Sequence, residues 1–249
     1  MPKQRLDSLL VTKGLAETES KAQALIMAGE VKIDGRAITK PGSLVSEDIV
    51  PVVAEKMPYV SRGGIKLARA LDEFRLDVTS LAAVDIGAST GGFTDCLLQR
   101  GIKRVYAIDV GYGQLDYRLR QDPRVIVMDR INAHYPIGLS EKVDLATLDL
   151  SFISVTKVLP NIIEHLTEPG YIIVLLKPQF EARREEVGKG GVIKDPQVHA
   201  RVLSRFIVWA IDRGLRLGGL VLSPILGASG NKEFLILLTG GRSGSLQRM

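Results

Sequence analysis

Apolar positions at the front of the chain recur first at helical and then at strand spacing. Leu6, Leu9 and Leu10 form one stripe of a helix that starts near Arg5 and stops at Gly14. Thr18 is placed to cap a second helix carrying Ala22, Leu25 and Ile26, and Gly29 ends it. Val31-Lys32-Ile33 and Arg36-Ala37-Ile38 alternate on either side of Asp34-Gly35, which predicts a two-residue hairpin. The stretch from Val50 to Pro58 holds two prolines and no sustained period, so it reads as a last strand plus a linker. A small α+β domain over residues 1–57 is expected.

Beyond the linker the pattern changes. Gly63-Gly64 precedes a helix with Ile65, Leu67, Ala68 and Leu71, and strands then alternate with helices. Strands are expected near 82–86, 104–109, 124–128, 143–148, 171–176, 216–222 and 232–238, with helices near 91–100, 115–120, 154–166 and 196–213. Ile172-Ile173-Val174-Leu175-Leu176 is apolar on both faces, as in a parallel strand covered by helices on both sides. The prediction is an α/β fold, a Rossmann-like, mostly parallel seven-stranded sheet over residues 58–241. Residues 242–249 read as a flexible tail.

In such sheets ligands bind beyond the carboxyl ends of the strands, and the chemistry-bearing residues fall there. The first strand delivers Asp85 into the loop Gly87-Ala88-Ser89-Thr90-Gly91-Gly92-Phe93. Glycines at 87, 91 and 92 do not make the dinucleotide spacing Gly-x-Gly-x-x-Gly. Their spacing resembles the Asp-x-Gly-x-x-x-Gly loops of S-adenosylmethionine (SAM) sites, the bland alternative being a tight strand-to-helix turn. Asp109 lies about twenty residues past that loop, where a carboxylate can accept from the hydroxyls of an adenosine ribose. Asp129 follows the third strand and could sit beside an adenine ring. Asp149 and Lys177 follow two further strands, and Glu233 starts the last. A lysine placed after five apolar residues is partly desolvated, which disfavours its charged form; the alternative is an ion pair at the sheet rim.

Composition narrows the class without naming it. Hydrophobic residues at 45% and charged residues at 24% fit a globular protein with a real core and exclude a disordered chain. The net charge of +5 is small and evenly spread, with ten Lys/Arg and eight Asp/Glu in residues 1–66, so any polyanion surface must come from arrangement. One cysteine, Cys96, allows no internal disulfide, and His134, His165 and His199 have no metal-ligand spacing, so no metal is expected. Neither a secretion signal nor a membrane-length apolar run is visible, and a cytoplasmic protein without membrane contact is the expectation.

Two resemblances sharpen this reading. Arg5-Leu6-Asp7 together with Ser20 to Gly35 resembles the RNA-binding module of the ribosomal-protein S-four type, which implies docking of structured RNA by Lys3, Arg5, Lys21, Lys32 and Arg36. The whole chain resembles the TlyA (hemolysin A) family, in which that module precedes a methyltransferase domain of the FtsJ/RrmJ type. The residues carrying the likeness are Ser61-Arg62-Gly63-Gly64-Ile65-Lys66-Leu67, the loop at 83–95, Leu148-Asp149-Leu150-Ser151-Phe152, Leu176-Lys177-Pro178-Gln179-Phe180-Glu181, Gly188-Lys189-Gly190-Gly191-Val192 and Gly230-Asn231-Lys232-Glu233.

The resemblance implies a SAM-dependent methyl transfer to the 2′-hydroxyl of cytidine in ribosomal RNA, with the ribosomal subunit as partner. It implies a Lys-Asp-Lys-Glu catalytic set at Lys66, Asp149, Lys177 and Glu233. SAM would lie against Asp85, Gly87, Ala88, Ser89, Gly91, Gly92, Phe93, Asp109 and Asp129, the last in Asp129-Arg130-Ile131-Asn132, whose third residue is less polar than the family pattern suggests. Arg62, Arg183, Arg184 and Lys189 would add cations for RNA, the last three on a loop from Glu181 to Asp195 that could equally be a solvated surface loop. A catalytically silent ribosome-assembly factor and a pore-forming hemolysin are the competing readings. The intact four-residue set argues against the first, and the lack of membrane-length or barrel patterning against the second.

Overall fold

The computed structural model describes residues 2–53, 57–227 and 229–240, and the chain divides into two compact units, Met1–Lys56 and Met57–Met249. The tail expected at 242–249 lies outside the described residues.

In the first unit, strand β1 (Lys3–Arg5) leads into α1 (Leu6–Thr12) and α2 (Glu19–Met27), followed by β2 (Val31–Ile33), β3 (Arg36–Ile38), β4 (Leu44–Ser46) and β5 (Val52–Val53). Thr18 caps α2 by accepting from Lys21 N–H at 3.2 Å. Asp34 and Gly35 both take positive φ in the turn between β2 and β3. β1 pairs antiparallel with β4, and β5 adds to β2; the β1–β4 ladder was not expected, because three residues are too few to show alternation. Leu6, Leu10, Ala22, Ile26 and Val31 close the miniature core.

The second unit opens with α3 (Arg62–Phe74), which takes Gly63 and Gly64 into its first turn rather than after them. It continues through β6 (Ala82–Ile86), α4 (Gly92–Gln99), β7 (Arg104–Asp109), α5 (Tyr117–Arg120), β8 (Val125–Asp129) and β9 (Val143–Leu148). Then come α6 (Leu159–Ile163), β10 (Leu166–Leu176), α7 (Pro178–Glu181), α8 (Pro196–Ile211), β11 (Leu215–Leu222) and β12 (Phe234–Gly240).

The seven strands run in the order β11-β12-β10-β9-β6-β7-β8. β12 is antiparallel to both its neighbours, and the pairs from β10 to β8 are parallel. β6 lies between β7 and β9, so the strand order reverses beside it and a crevice opens at its carboxyl end. Apolar side chains fill both faces: Val84, Ile108, Ile172 and Phe206 on one, Leu67, Leu97, Ile173 and Leu235 on the other.

One predicted helix is broken. Instead of a helix over 154–166 there is a 3-10 turn at Val155–Lys157, then the short α6 with Pro160 near its start, and β10 already begins at Leu166. Proline cannot donate an internal helical hydrogen bond, so it starts the second piece rather than continuing the first.

Candidate active site

The loop after β6 is shaped by what glycine permits. Gly87 has φ +80°, and a Cβ there would stand 2.6 Å from the Asp149 carbonyl oxygen. Its N–H and that of Ala88 both donate to Ile108 O, at 2.9 and 3.1 Å, which turns the loop across the end of β7. Gly91, with φ +95°, lies under Leu115 and Leu119, so it serves the packing of the loop rather than lining a recess. Two recesses meet at this loop. One, of about 620 Å³, is lined by Lys66, Gly87, Ser89, Asp149, Lys177 and Glu233 among others, together with Ala88, Gly92 and Phe93. The second, of about 380 Å³, holds Asp109, Gln114, Asn132 and His134, and shares Gly87, Ser89, Asp149, Ser151 and Phe152 with the first.

Two ion pairs sit in the larger recess. Lys66 Nζ donates to Glu233 Oε2 at 2.6 Å, with both side chains buried. Gly227 makes room for this carboxylate, since a Cβ there would meet Glu233 Oε1 at 2.3 Å. Lys177 Nζ forms an ion pair with Asp149 Oδ1 at 2.6 Å and donates to Ser151 Oγ at 3.0 Å. These four residues come from α3, the ends of β9 and β10, and the approach to β12. The expectation that Glu233 opens the last strand shifts by one residue, since β12 starts at Phe234.

Asp109 bridges the two loops of the smaller recess, accepting from Ser89 N–H at 2.9 Å and Gly111 N–H at 2.7 Å. Each oxygen keeps acceptor capacity for a ligand hydroxyl. Asp85 and Asp129 do otherwise than expected. Asp85 is fully buried beneath the loop, lines neither recess, and accepts from Thr94 Oγ1 at 2.7 Å and Thr147 Oγ1 at 2.8 Å. Desolvation pushes its carboxyl up to about 6, against the pull of the two threonine hydroxyls. Asp129 turns away to accept from Arg120 at 2.7 Å and Gly113 N–H at 3.2 Å, and the Arg120 hydrogen bond holds it below the usual carboxylate range. Ile131 and Asn132, two and three residues on, line the recess instead.

Several lining residues were not singled out as site residues from the sequence. Phe152 is 92% exposed, has φ +66°, and faces Phe180 at 5.2 Å between ring centres. Asn231 is buried and clasps the loop that follows α7, accepting from Ile193 N–H at 2.9 Å and donating to Gly191 O at 2.8 Å. Both stand within motifs whose family likeness was legible, and no spacing rule marks either side chain.

The expected RNA cations separate into paired and open ones. Arg5 is held by Asp7, at 3.0 and 2.5 Å, and Lys21 by Glu17, so neither is a free cation in this conformation. Lys3, Lys32 and Arg36 are exposed in the first unit, and Arg62, Arg183, Arg184 and Lys189 in the second, with Arg62 at the wall of the larger recess. Cys96 is buried, and desolvation pushes its thiol up to about 12, so it packs and does not react. Among the described residues no helix is long and apolar enough to cross a membrane, and no group of three or more His, Cys, Asp or Glu could hold a metal ion.

The residues present fit SAM. The combined recess has the size of a small-molecule site, Gly87 and Ser89 line both of its parts, and Asp109 offers acceptors to a ribose.

Comparison with known proteins agrees with the geometry. The FtsJ-like methyltransferase family matches residues 59–239, and the S4 domain matches residues 4–48. YqxC of Bacillus subtilis, named as a candidate rRNA methyltransferase, is 49% identical over 95% of this chain and 85% of its own length. The 16S/23S rRNA (cytidine-2′-O)-methyltransferase TlyA of Mycobacterium tuberculosis is 44% identical over 94% of this chain and 89% of its own. A solved structure from Streptococcus thermophilus, described as a candidate hemolysin, superposes with a TM-score of 0.75 at 43% identity, covering 98% of this chain and 90% of that one. By these matches over both units, the chain belongs to the TlyA group of FtsJ-like methyltransferases, with an S4 domain ahead of the methyltransferase sheet.

Proposed function

We propose that this protein transfers a methyl group from SAM to the 2′-hydroxyl of a cytidine in ribosomal RNA, in the cytoplasm, with the ribosomal subunit as its partner. The observation that carries the reading is the pairing of Lys177 with Asp149 and of Lys66 with Glu233 on the wall of one recess, next to the glycine loop and Asp109. The names of the relatives support the acceptor.

SAM, when bound, supplies an already activated methyl. Gly87, Ala88, Ser89, Gly92 and Phe93 would hold its methionine side, and Asp109 with Asn132 its adenosine side. What remains for the protein is to align the acceptor oxygen and take its proton. Lys177, when it carries a free amine, accepts the proton of the 2′-hydroxyl and becomes an ammonium that returns the proton to solvent. Asp149 and Ser151 fix the direction of Nζ. Lys66 places a positive charge where negative charge grows on the oxygen, and Glu233 keeps that charge in place. Phe152 offers an open aromatic face for the acceptor base, and Arg62, Arg183, Arg184 and Lys189 offer cations to nearby phosphates. The S4 unit contributes Lys3, Lys32 and Arg36 to the same RNA.

Mapping of ribose methylation in ribosomal RNA from cells with and without the protein tests this reading. Loss of 2′-O-methylcytidine at a discrete position is expected; an unchanged map would favour an RNA-binding assembly factor without catalysis.

A further inference from the structure

Register between β9 and β10 ends at Leu148 paired with Val174. Beyond that point the two strands carry Asp149 and Lys177 forward on separate segments, one running through 149–154 without regular structure into the 3-10 turn at Val155–Lys157 and the other into the short helix α7. Glu181, the last residue of α7, joins them. Its Oε1 accepts from Val155 N–H at 2.8 Å and its Oε2 from Ser154 Oγ at 2.6 Å. Ser154 Oγ also lies 2.7 Å from Thr156 Oγ1, and Arg205 on α8 donates to Glu181 O at 3.2 Å. The Glu181 side chain lines neither of the two recesses that hold the paired lysines and Asp109; it faces a smaller one beside Ser154, Thr156 and Arg205. Burial pushes its carboxyl above the ordinary range, so the fork costs desolvation that its two donors partly offset.

The geometry points to Glu181 as a positioning residue: one carboxylate clasps the segment after β9 to the segment after β10 and so holds Asp149 and Lys177 at ion-pair distance. A fork of two acceptors suits the task, because a backbone N–H and a hydroxyl on successive residues are met by one rigid group. The inference rests on the reading of the recess as the site of methyl transfer.

Three proteins test it, wild type, Glu181→Ala and Glu181→Gln, each with purified ribosomal subunits and SAM, assayed well below its melting temperature. An amide keeps an acceptor for Val155 N–H and can donate to Ser154 Oγ, whose own proton can turn to Thr156. The alanine variant should lose about 10- to 100-fold in kcat, the scale of a misplaced reacting group, with KM for SAM and for RNA within about twofold of wild type. The glutamine variant should recover most of kcat.

Unchanged kcat in the alanine variant, KM values that rise by the factor kcat falls, or a glutamine variant no better than alanine would each overturn the assignment. Amide exchange separates the clasp from the reaction. Val155 N–H should exchange faster in the alanine variant while Leu145 in β9 is unchanged, and equal exchange at Val155 in both proteins removes the clasp. A wild type that binds SAM but methylates no RNA instead sinks the reading of the recess, whatever Val155 does.

Discussion

Lys66 and Glu233 stand 167 residues apart in sequence and 2.6 Å apart in space, with the carboxylate only 3% exposed. A pair this deep is a one-sided commitment, because each charge is tolerable only with its partner. Glu233→Ala should therefore cost about 3 kcal/mol or more in denaturant unfolding, by leaving the lysine cation unpaired in its site. The double replacement Lys66→Met with Glu233→Leu should cost less than that single change. A loss below about 1 kcal/mol for Glu233→Ala would show that Lys66 reaches solvent without its partner.

Asp85 carries a pH prediction. Its folded carboxyl is raised to about 6, above the ordinary carboxylate value, so the fold prefers the protonated form. Stability from this group is fully present below the unfolded value and is lost as pH rises through the folded one. Asp85→Asn, which stays neutral, should gain on the wild type between about pH 4 and pH 6 and level off above. The gain should be of the order of 3 kcal/mol at most, at 1.36 kcal/mol per unit. Urea melts of both proteins across that range read the difference, and parallel curves would contradict it.

The glycine loop is tested most simply at Gly87. Its left-handed backbone and the Asp149 carbonyl 2.6 Å from the would-be Cβ make alanine both strained and crowded. Gly87→Ala should lower stability by roughly 1–3 kcal/mol and weaken SAM binding in a calorimetric titration, because the shifted loop meets the recess wall. Unaltered affinity with lowered stability would separate the loop's fold from its ligand.

How much of this was legible depended on distance along the chain. β6, β7 and β9 match the expected strands residue for residue, since apolar residues predominate in each. The helix expected at 154–166 failed because Pro160 and the early start of β10 outweigh a periodic pattern. Asp85 looked like a ligand because a strand-end carboxylate carries no sign of which way it faces; Thr147, one of its two partners, is 62 residues away. Asp129 could have been read better, for Arg120 is only nine residues upstream and their pairing draws the carboxylate out of the recess. Lys66 and Glu233 were set together by family likeness alone, which no local pattern could do.

In the proposed reaction Lys177 serves the proton of the acceptor hydroxyl and not the cofactor or the fold. Lys177→Ala and wild type should be compared side by side for SAM affinity by calorimetry and for transfer of labelled methyl from SAM to ribosomal RNA, with the product nucleoside identified. The expected result is 2′-O-methylcytidine from the wild type, none from the variant, and nearly equal SAM affinity in both. Equal loss of binding and transfer in the variant, or a methyl found on the base instead of the ribose, would contradict it.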